Sequence, residues 1–201
     1  MNETIAYYNT NADQFRRDTL HVDMCALYEP FLKLVPQGGK VLDAGCGSGR
    51  DSLYFKQHGY KVEAFDASSE MCRLASTLID QPVNLKAFDD VDWISEFDGI
   101  WACASLVHVR RDSIDAVLER LCRALRPNGV MFVSFKLRDE EWEQKGRFFN
   151  GYSENSLRKL IKRQAELLPI SIWVSDDARP ERNDEKWLNA LLQRVHDSNS
   201  C

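Results

Sequence analysis

Short apolar runs alternate with amphipathic stretches along the chain, and their periodicity predicts an α/β fold. Compact apolar runs predict buried strands, whereas apolar side chains three or four positions apart predict helices. We expect strands at 41–42, 61–66, 84–88, 97–105, 130–135 and 170–174. We expect helices within 3–35, from 53 to the glycine at 59, from 69 onward, and over 112–125 and 153–167. Such an alternation is typical of a mainly parallel sheet covered by helices.

Two stretches do not follow this pattern clearly. The apolar positions of 186–194 favour a helix on local grounds. The stretch 136–152 has no regular apolar periodicity, yet it contains several aromatic and arginine side chains. Loops of that composition on a rigid scaffold often determine specificity.

Three glycines follow the first predicted strand at alternate positions, Gly45, Gly47 and Gly49. A strand that passes through glycines into a helix forms a ligand site, because a ligand can lie against the backbone and the loop amides point at it. The spacing differs from the G-x-G-x-x-G of nucleotide dehydrogenases and from the phosphate loop. Asp43 precedes the loop and suits a cationic ligand better than a pyrophosphate. Asp66 follows about twenty residues later, where an acid can accept both ribose hydroxyls.

These residues carry a family resemblance. Val-Leu-Asp-Ala-Gly-Cys-Gly-Ser-Gly at 41–49 resembles motif I of class I S-adenosylmethionine-dependent methyltransferases, and Phe-Asp-Ala-Ser at 65–68 resembles motif II. Gly-Arg-Asp-Ser-Leu-Tyr at 49–54 is further similar to small methyltransferases of the tellurite-resistance and thiol/halide type. The resemblance implies one Rossmann-like three-layer domain over 1–201, with a seven-stranded, mostly parallel sheet of order 3-2-1-4-5-7-6. Its last strand is antiparallel, so the resemblance makes 186–194 a strand.

The resemblance also implies which residues hold S-adenosylmethionine. Its cofactor set comprises Asp43, Gly45, Cys46, Gly47, Gly49, Asp66, Ala67, Met71, Asp89 and Arg16. Met71 would lie against the adenine, although a methionine at helical spacing is often simply a core residue. Asp89 would accept the adenine amino group, although a solvated acidic turn is nearly as good an interpretation. Arg16 or Arg17 would pair with the methionyl carboxylate, because the guanidinium fork matches that group.

The acceptor side is expected to be built from three pieces. Residues 1–35 form a helical cap that supplies Tyr8, and 136–152 form a lid that supplies Arg147 and Phe149. His108 follows the fourth strand, where ligands of open α/β sheets bind. It is the candidate catalytic base, because the pKa of histidine lies near neutrality. Alternatively, His108 only shapes the pocket. The alternative for the N-terminal segment is a solvated amphipathic helix.

Composition narrows the functional classes. The 201 residues carry a formal net charge of -5, which argues weakly against a nucleic-acid partner. No stretch has the roughly twenty apolar residues that a membrane helix needs. The six cysteines are scattered and no signal sequence precedes them, so we expect reduced thiols in a cytoplasmic protein. The four histidines show no metal-binding pattern. We expect a monomer or weak dimer with no membrane or nucleic-acid partner.

The expected reaction is S_N2 transfer of a methyl group to a small-molecule nucleophile. Orientation supplies most of the catalysis in such a reaction, which fits a chain without a catalytic triad. Two alternatives remain open. One is a catalytically silent module that binds the cofactor, and the other is a nucleotide-dependent oxidoreductase. The missing G-x-G-x-x-G spacing argues against the oxidoreductase.

Overall fold

Three short helices precede an alternating series of strands and helices. The computed structural model describes residues 3–179, 182 and 184–195. The helices are α1 Glu3–Thr10, α2 Ala12–Thr19, α3 Cys25–Leu32, α4 Arg50–Gln57, α5 Ser69–Ile79, α6 Ile114–Ala124 and α7 Glu154–Lys162. The strands are β1 Lys40–Ala44, β2 Lys61–Asp66, β3 Asn84–Leu85, β4 Phe97–Ala102, β5 Leu125–Lys136, β6 Glu141–Gln144, β7 Arg147–Asn150, β8 Leu167–Asp176 and β9 Lys186–Arg194. Phe88–Asp90 and Leu106–His108 form single 3₁₀ turns.

Seven strands form one sheet in the order β3-β2-β1-β4-β5-β9-β8. Strands β1 to β5 are parallel, and β9 runs antiparallel to both β5 and β8. Counting only the strands of this sheet gives 3-2-1-4-5-7-6, which confirms the predicted fold. Strand β9 has five consecutive buried residues, Leu188 to Leu192, because the strand lies between two others with both faces covered. An apolar run of that kind is easily mistaken for a helix.

The sheet separates two hydrophobic clusters, which gives the three layers. One cluster packs α3, α4 and α5 against β1, β4 and β5, and at its centre Trp101 stacks on Phe132 with ring centroids 4.0 Å apart. The other packs α6 and α7 against the opposite face. Both clusters leave the carboxyl ends of the parallel strands free to form a site. Within the described ranges, no helix has the length and apolar character needed to cross a membrane.

The stretch 136–152 is more regular than the sequence indicates. It contains the hairpin β6–β7, in which Trp142 stacks on Phe149 across the two strands. Lys145 and Gly146 form the turn, both with positive φ, as tight hairpin turns require. Arg111 ties down the base of the hairpin by donating to Asn150 Oδ1 and to the Gly151 carbonyl. Charged and aromatic residues alternate in this hairpin because only one face of the strand pair packs against the protein. The sequence analysis therefore did not predict the two strands.

Candidate functional site

A cavity of about 750 Å³ lies at the carboxyl ends of β1, β2, β4 and β5. The glycine loop and the first residues after β2 form one wall of the cavity. Helices α1 and α2 and the hairpin β6–β7 cover it. The predicted site residues that line it are Gly45, Cys46, Gly47, Asp66, Ala67, Met71, Asp89, Tyr8, His108, Arg147 and Phe149. The structure therefore brings eleven of the fourteen predicted residues to one cavity, while their individual roles stay predictions.

The glycine loop is held in place by hydrogen bonds to the end of β2. The amides of Gly45 and Cys46 both donate to the Phe65 carbonyl at 2.9 Å. The Gly47 amide donates to Asp66 Oδ2 at 2.9 Å, and the Ser68 amide donates to Asp66 Oδ1 at the same distance. Each carboxylate oxygen keeps further acceptor capacity. Asp66 thus fixes the loop and still presents acceptors to the cavity.

Two glycines of the loop could not carry side chains without a change in the site. Gly45 has φ +76°, and a Cβ there would lie 2.5 Å from Ser105 Cβ. Gly47 has φ +54°, and its Cβ would lie 3.3 Å from the Phe15 ring of α2. Both conformations are in the left-handed region that favours glycine. The loop is therefore shaped for close approach of a ligand or of the covering helix.

Asp43 does not reach the cavity, contrary to the prediction. It is buried beneath the loop at 2% exposure, where Ser52 Oγ donates to its Oδ2 at 2.6 Å. Burial, together with the nearby Asp51 carboxylate, raises the pKa of Asp43 to about 8. At this position the Asp43 carboxyl does not line the cavity. Asp43 instead joins β1 to α4.

Gly49 and Arg16 also lie away from the cavity wall. Gly49 is the N-cap of α4, and a Cβ there would lie 3.0 Å from the backbone of Ala75, so it allows α4 and α5 to pack closely. Arg16 faces a shallow depression that it shares with Arg17 and His21. The rotation of α2 places Phe15 rather than Arg16 over the loop.

A buried ion pair that the sequence analysis did not identify as functional lies beside the loop. Arg50 Nε donates to Asp51 Oδ1 at 2.5 Å, and both residues line the cavity. Asp51 also accepts from Tyr28 Oη at 2.6 Å and from Trp101 Nε1 at 2.8 Å. Although burial opposes its charge, Arg50 lowers the pKa of Asp51. The pair places a fixed guanidinium at the cavity, where the prediction had placed Arg16.

Tyr8 and His108 contact each other in the wall of the cavity. His108 Nδ1 lies 2.6 Å from the Phe148 carbonyl, which can only accept, so Nδ1 carries the proton. Nε2 is then the acceptor for Tyr8 Oη at 2.9 Å. Both ring nitrogens are engaged within the protein. His108 can therefore take a proton from an acceptor only through the Tyr8 hydroxyl.

Burial lowers the pKa of His108 to about 4 from its ordinary value of 6.5. The unfolded chain therefore takes up a proton here between pH 6.5 and 4, and the folded chain does not. The free energy of unfolding is greatest above pH 6.5 and falls as the pH decreases to 4, at up to about 1.4 kcal/mol per pH unit. We expect His108→Phe to flatten this part of the curve in urea unfolding. NMR titration of His108 in the native state checks the pKa itself.

Arg147 and Phe149 of β7 complete this end of the cavity. The Arg147 guanidinium lies over the Tyr7 ring at 4.4 Å and over the Phe149 ring at 5.1 Å. The Phe148 amide donates to Thr4 Oγ1 at 2.9 Å, which fastens the hairpin to α1. The cap and the hairpin therefore close over the cavity together.

The sequence model of the family described as "Methyltransferase domain" matches residues 15–166, about three quarters of the chain. The chain belongs to this methyltransferase family. The match spans the glycine loop, Asp66, His108 and the hairpin, and it leaves out α1 and β9, which also line the cavity.

Individual relatives resemble the chain over part of its length. A malonyl-[acyl-carrier protein] O-methyltransferase of Enterobacter lignolyticus is 35% identical over 46% of this chain and 37% of its own. A 2-methyl-6-phytyl-1,4-hydroquinone methyltransferase of Synechocystis sp. is 29% identical over 57% of this chain and 35% of its own. The chain thus spans less than half the length of these curated methyltransferases.

A solved structure matches nearly the whole fold. The 1,6-didemethyltoxoflavin-N1-methyltransferase of Burkholderia thailandensis superposes with a TM-score of 0.79, covering 96% of this chain and 87% of its own at 22% identity. That structure contains 1,6-didemethyltoxoflavin and S-adenosylhomocysteine. At this identity the likeness establishes that the two methyltransferase folds agree.

Several cavity residues went unrecognised in the sequence. Arg50 and Asp51 were visible in the Gly-Arg-Asp string, but nothing local showed that both would be held at the cavity. Asn189 interrupts the apolar run of β9, and a polar residue inside a buried strand is a signal that could have been used. Ser134 and Cys103 reach the cavity because β4 pairs with β5. In the sequence alone, nothing distinguished these two residues from buried core positions.

Proposed function

We propose that the protein is an S-adenosylmethionine-dependent methyltransferase that methylates a small-molecule nucleophile. The observation that carries the proposal is the pairing of Gly47 with Asp66 within a chain of the methyltransferase family. It places an acidic acceptor and a side-chain-free backbone on the same wall of one cavity. The S-adenosylhomocysteine bound by the Burkholderia protein of the same fold supports the choice of cofactor.

The residues of the cavity fit S-adenosylmethionine. Asp66 has free acceptor capacity for two ribose hydroxyls, and a Cβ on Gly45 or Gly47 would meet Ser105 or Phe15. Met71 and Ala67 offer an apolar contact on the same wall for the adenine, and Asp89 lies at the rim as a candidate partner of its amino group. We assign the methionyl carboxylate to Arg50 in place of Arg16. When bound, S-adenosylmethionine supplies a methyl group activated by a sulfonium.

The chain's own part in the reaction is to orient the acceptor and to exclude water. Arg50 is held rigidly by Asp51, so it loses little freedom when it binds an anion. Tyr8 and His108 border the acceptor space, and His108 accepts the Tyr8 proton when Tyr8 receives one from an acceptor. The hairpin β6–β7 serves as the lid, because its Trp142 and Phe149 shield the cavity from solvent.

The remaining expectations belong to the same proposal. A small acceptor is supported by the cavity volume of about 750 Å³ and by the small molecule in the Burkholderia structure. A cytoplasmic location is supported by the five described cysteines, which are all free thiols. We expect the active form to be a monomer or weak dimer without a nucleic-acid partner.

Replacing Asp66 tests the cofactor site. We expect Asp66→Ala to weaken S-adenosylhomocysteine binding by about 1.5–3 kcal/mol, because hydrogen bonds to a charged group are lost. Isothermal titration calorimetry measures the change, and thermal unfolding verifies that the variant is folded. Asp13→Ala, an exposed acid of α2 outside the cavity, is the control and should bind like the wild type. Unchanged affinity in folded Asp66→Ala would remove Asp66 from the site.

A further inference from the structure

Two buried side-chain polar atoms of the described residues have no hydrogen-bond partner, Arg147 Nε and Asn189 Oδ1. Both residues line the same cavity. One atom is a donor on a cation, and the other is an acceptor on a neutral amide. Buried polar atoms of native proteins are nearly always paired. Two unpaired atoms of opposite kind in one cavity therefore point to a ligand that pairs with both.

Asn189 is built into the sheet and cannot turn toward solvent. It is fully buried in the middle of β9, opposite Ser134 of β5 and Trp173 of β8. Its Nδ2 donates to Ser175 Oγ at 2.9 Å, which leaves Oδ1 as the free atom. The strand pairing on both sides fixes the position of Asn189, so its Oδ1 stays without a partner within the protein.

The side chains directly beside Asn189 are polar and uncharged, and the Arg50–Asp51 ion pair lies close to one of them, Cys103. Ser134 Oγ accepts from the Ala104 amide at 2.7 Å and donates to Cys103 Sγ at 3.9 Å. Burial raises the pKa of Cys103 to about 12, so its thiol is neutral. Asn189, Ser134, Cys103 and Ser175 form a polar floor for this part of the cavity. Because Asp51 already offsets the charge of Arg50, a ligand group seated here without its own counter-ion must also be neutral.

We propose that the methyl acceptor carries two separate recognition groups. An oxyanion or carbonyl oxygen accepts from Arg147 Nε, and an uncharged hydroxyl or N–H donates to Asn189 Oδ1. Asn189 is then a specificity-determining residue of the acceptor site, and the acceptor is a small molecule with an acidic or carbonyl end and a neutral donor. This inference rests on the proposed function, because it describes the substrate of that same reaction.

An acceptor bearing only one of these groups would leave a buried atom unpaired and bind more weakly. This asymmetry gives the site its selectivity. A site that requires a hydrogen-bond donor binds an analogue weakly when that donor is methylated. If the donor is also the atom that the reaction methylates, the same weakening favours release of the product. If Asn189 only stabilised β8 through its hydrogen bond to Ser175, it would not contribute to this selectivity.

Matched probes test the two contacts. Meta- and para-hydroxybenzoate carry a carboxylate and a hydroxyl at two separations, and meta- and para-methoxybenzoate lack only the donor. Each is titrated by calorimetry into the wild-type protein saturated with S-adenosylhomocysteine. We expect at least one hydroxybenzoate to bind tenfold or more tightly than its methoxy partner. In Asn189→Leu that ratio should fall below twofold. Arg147→Gln should weaken both members of the pair by a similar factor and preserve the ratio.

Thermal unfolding controls for folding, and the midpoint of Asn189→Leu should equal or exceed that of the wild type, because an unpaired buried carbonyl is removed. Asn189→Ala takes its place if the leucine variant does not fold. The inference is overturned if no benzoate binds, if the methoxy compounds bind as well or better, or if the Asn189 variants keep the wild-type ratio. Failure of S-adenosylhomocysteine to bind the wild type contradicts the proposed function instead, and the benzoate titrations are then made on the free protein.

Discussion

Gly47→Val is expected to reduce S-adenosylhomocysteine affinity by more than 100-fold, which corresponds to about 2.7 kcal/mol. Gly47 has φ +54°, and a side chain there would press on Phe15 and displace the loop. The bond from the Gly47 amide to Asp66 Oδ2 depends on that backbone conformation. The substitution therefore disturbs the loop and the acidic acceptor together. Calorimetry with folded protein measures the loss.

Gly146→Ala is a matched control for backbone strain. Gly146 also has a positive φ of +71°, but an added Cβ would meet nothing within 4 Å. It lies at the turn of the hairpin β6–β7, away from the glycine loop. We expect Gly146→Ala to lower stability slightly and to bind S-adenosylhomocysteine within twofold of the wild type. Retained binding by Gly47→Val would mean that the loop is only a structural turn.

Asp51→Ala is expected to lower the free energy of unfolding by about 3–5 kcal/mol, because it leaves a largely buried Arg50 without its counter-ion. The substitution also removes the acceptor of Tyr28 Oη and Trp101 Nε1 in the core between α3 and β4. Urea unfolding measures the change. The expected loss is a large fraction of the total free energy of unfolding of a domain of this size.

A surface ion pair provides the comparison for Asp51. Glu154 pairs with Arg158 one turn along α7, and both side chains are more than half exposed. Glu154→Ala should cost less than about 1 kcal/mol, because exposed pairs contribute little. If Asp51→Ala costs no more than Glu154→Ala, then the Arg50–Asp51 pair is solvated and cannot hold Arg50 as a fixed anion ligand.

Several predicted site residues come to the cavity through connections that are local in the chain. The glycine loop and Asp66 lie on neighbouring parallel strands joined by a single helix, and the pairing of β1 with β2 brings them together. The same holds for His108, which comes directly after β4. The strand order was implied by the resemblance to a known family rather than by the local pattern, which favoured a helix for 186–194.

The features that sequence missed depend on rotation and register. Whether Arg16 or Phe15 faces the loop is decided by the rotation of α2 about its axis, which its polar sequence does not specify. Asn189 reaches the cavity because β9 pairs with β5 in a register that places it opposite Ser134. Asp43 does not line the cavity, because its side chain lies beneath the loop, and the sequence pattern shows only that it precedes the loop. Each of these outcomes follows from contacts between segments far apart in sequence.

A crystal structure of the complex with S-adenosylhomocysteine tests the central claim most directly. We predict density for the ligand along Gly45–Gly47, with its ribose hydroxyls on the Asp66 carboxylate and its carboxylate toward Arg50. Its sulfur should face the part of the cavity bordered by Tyr8, His108 and Arg147. Density for the ligand elsewhere, or a ribose that does not touch Asp66, would contradict the account.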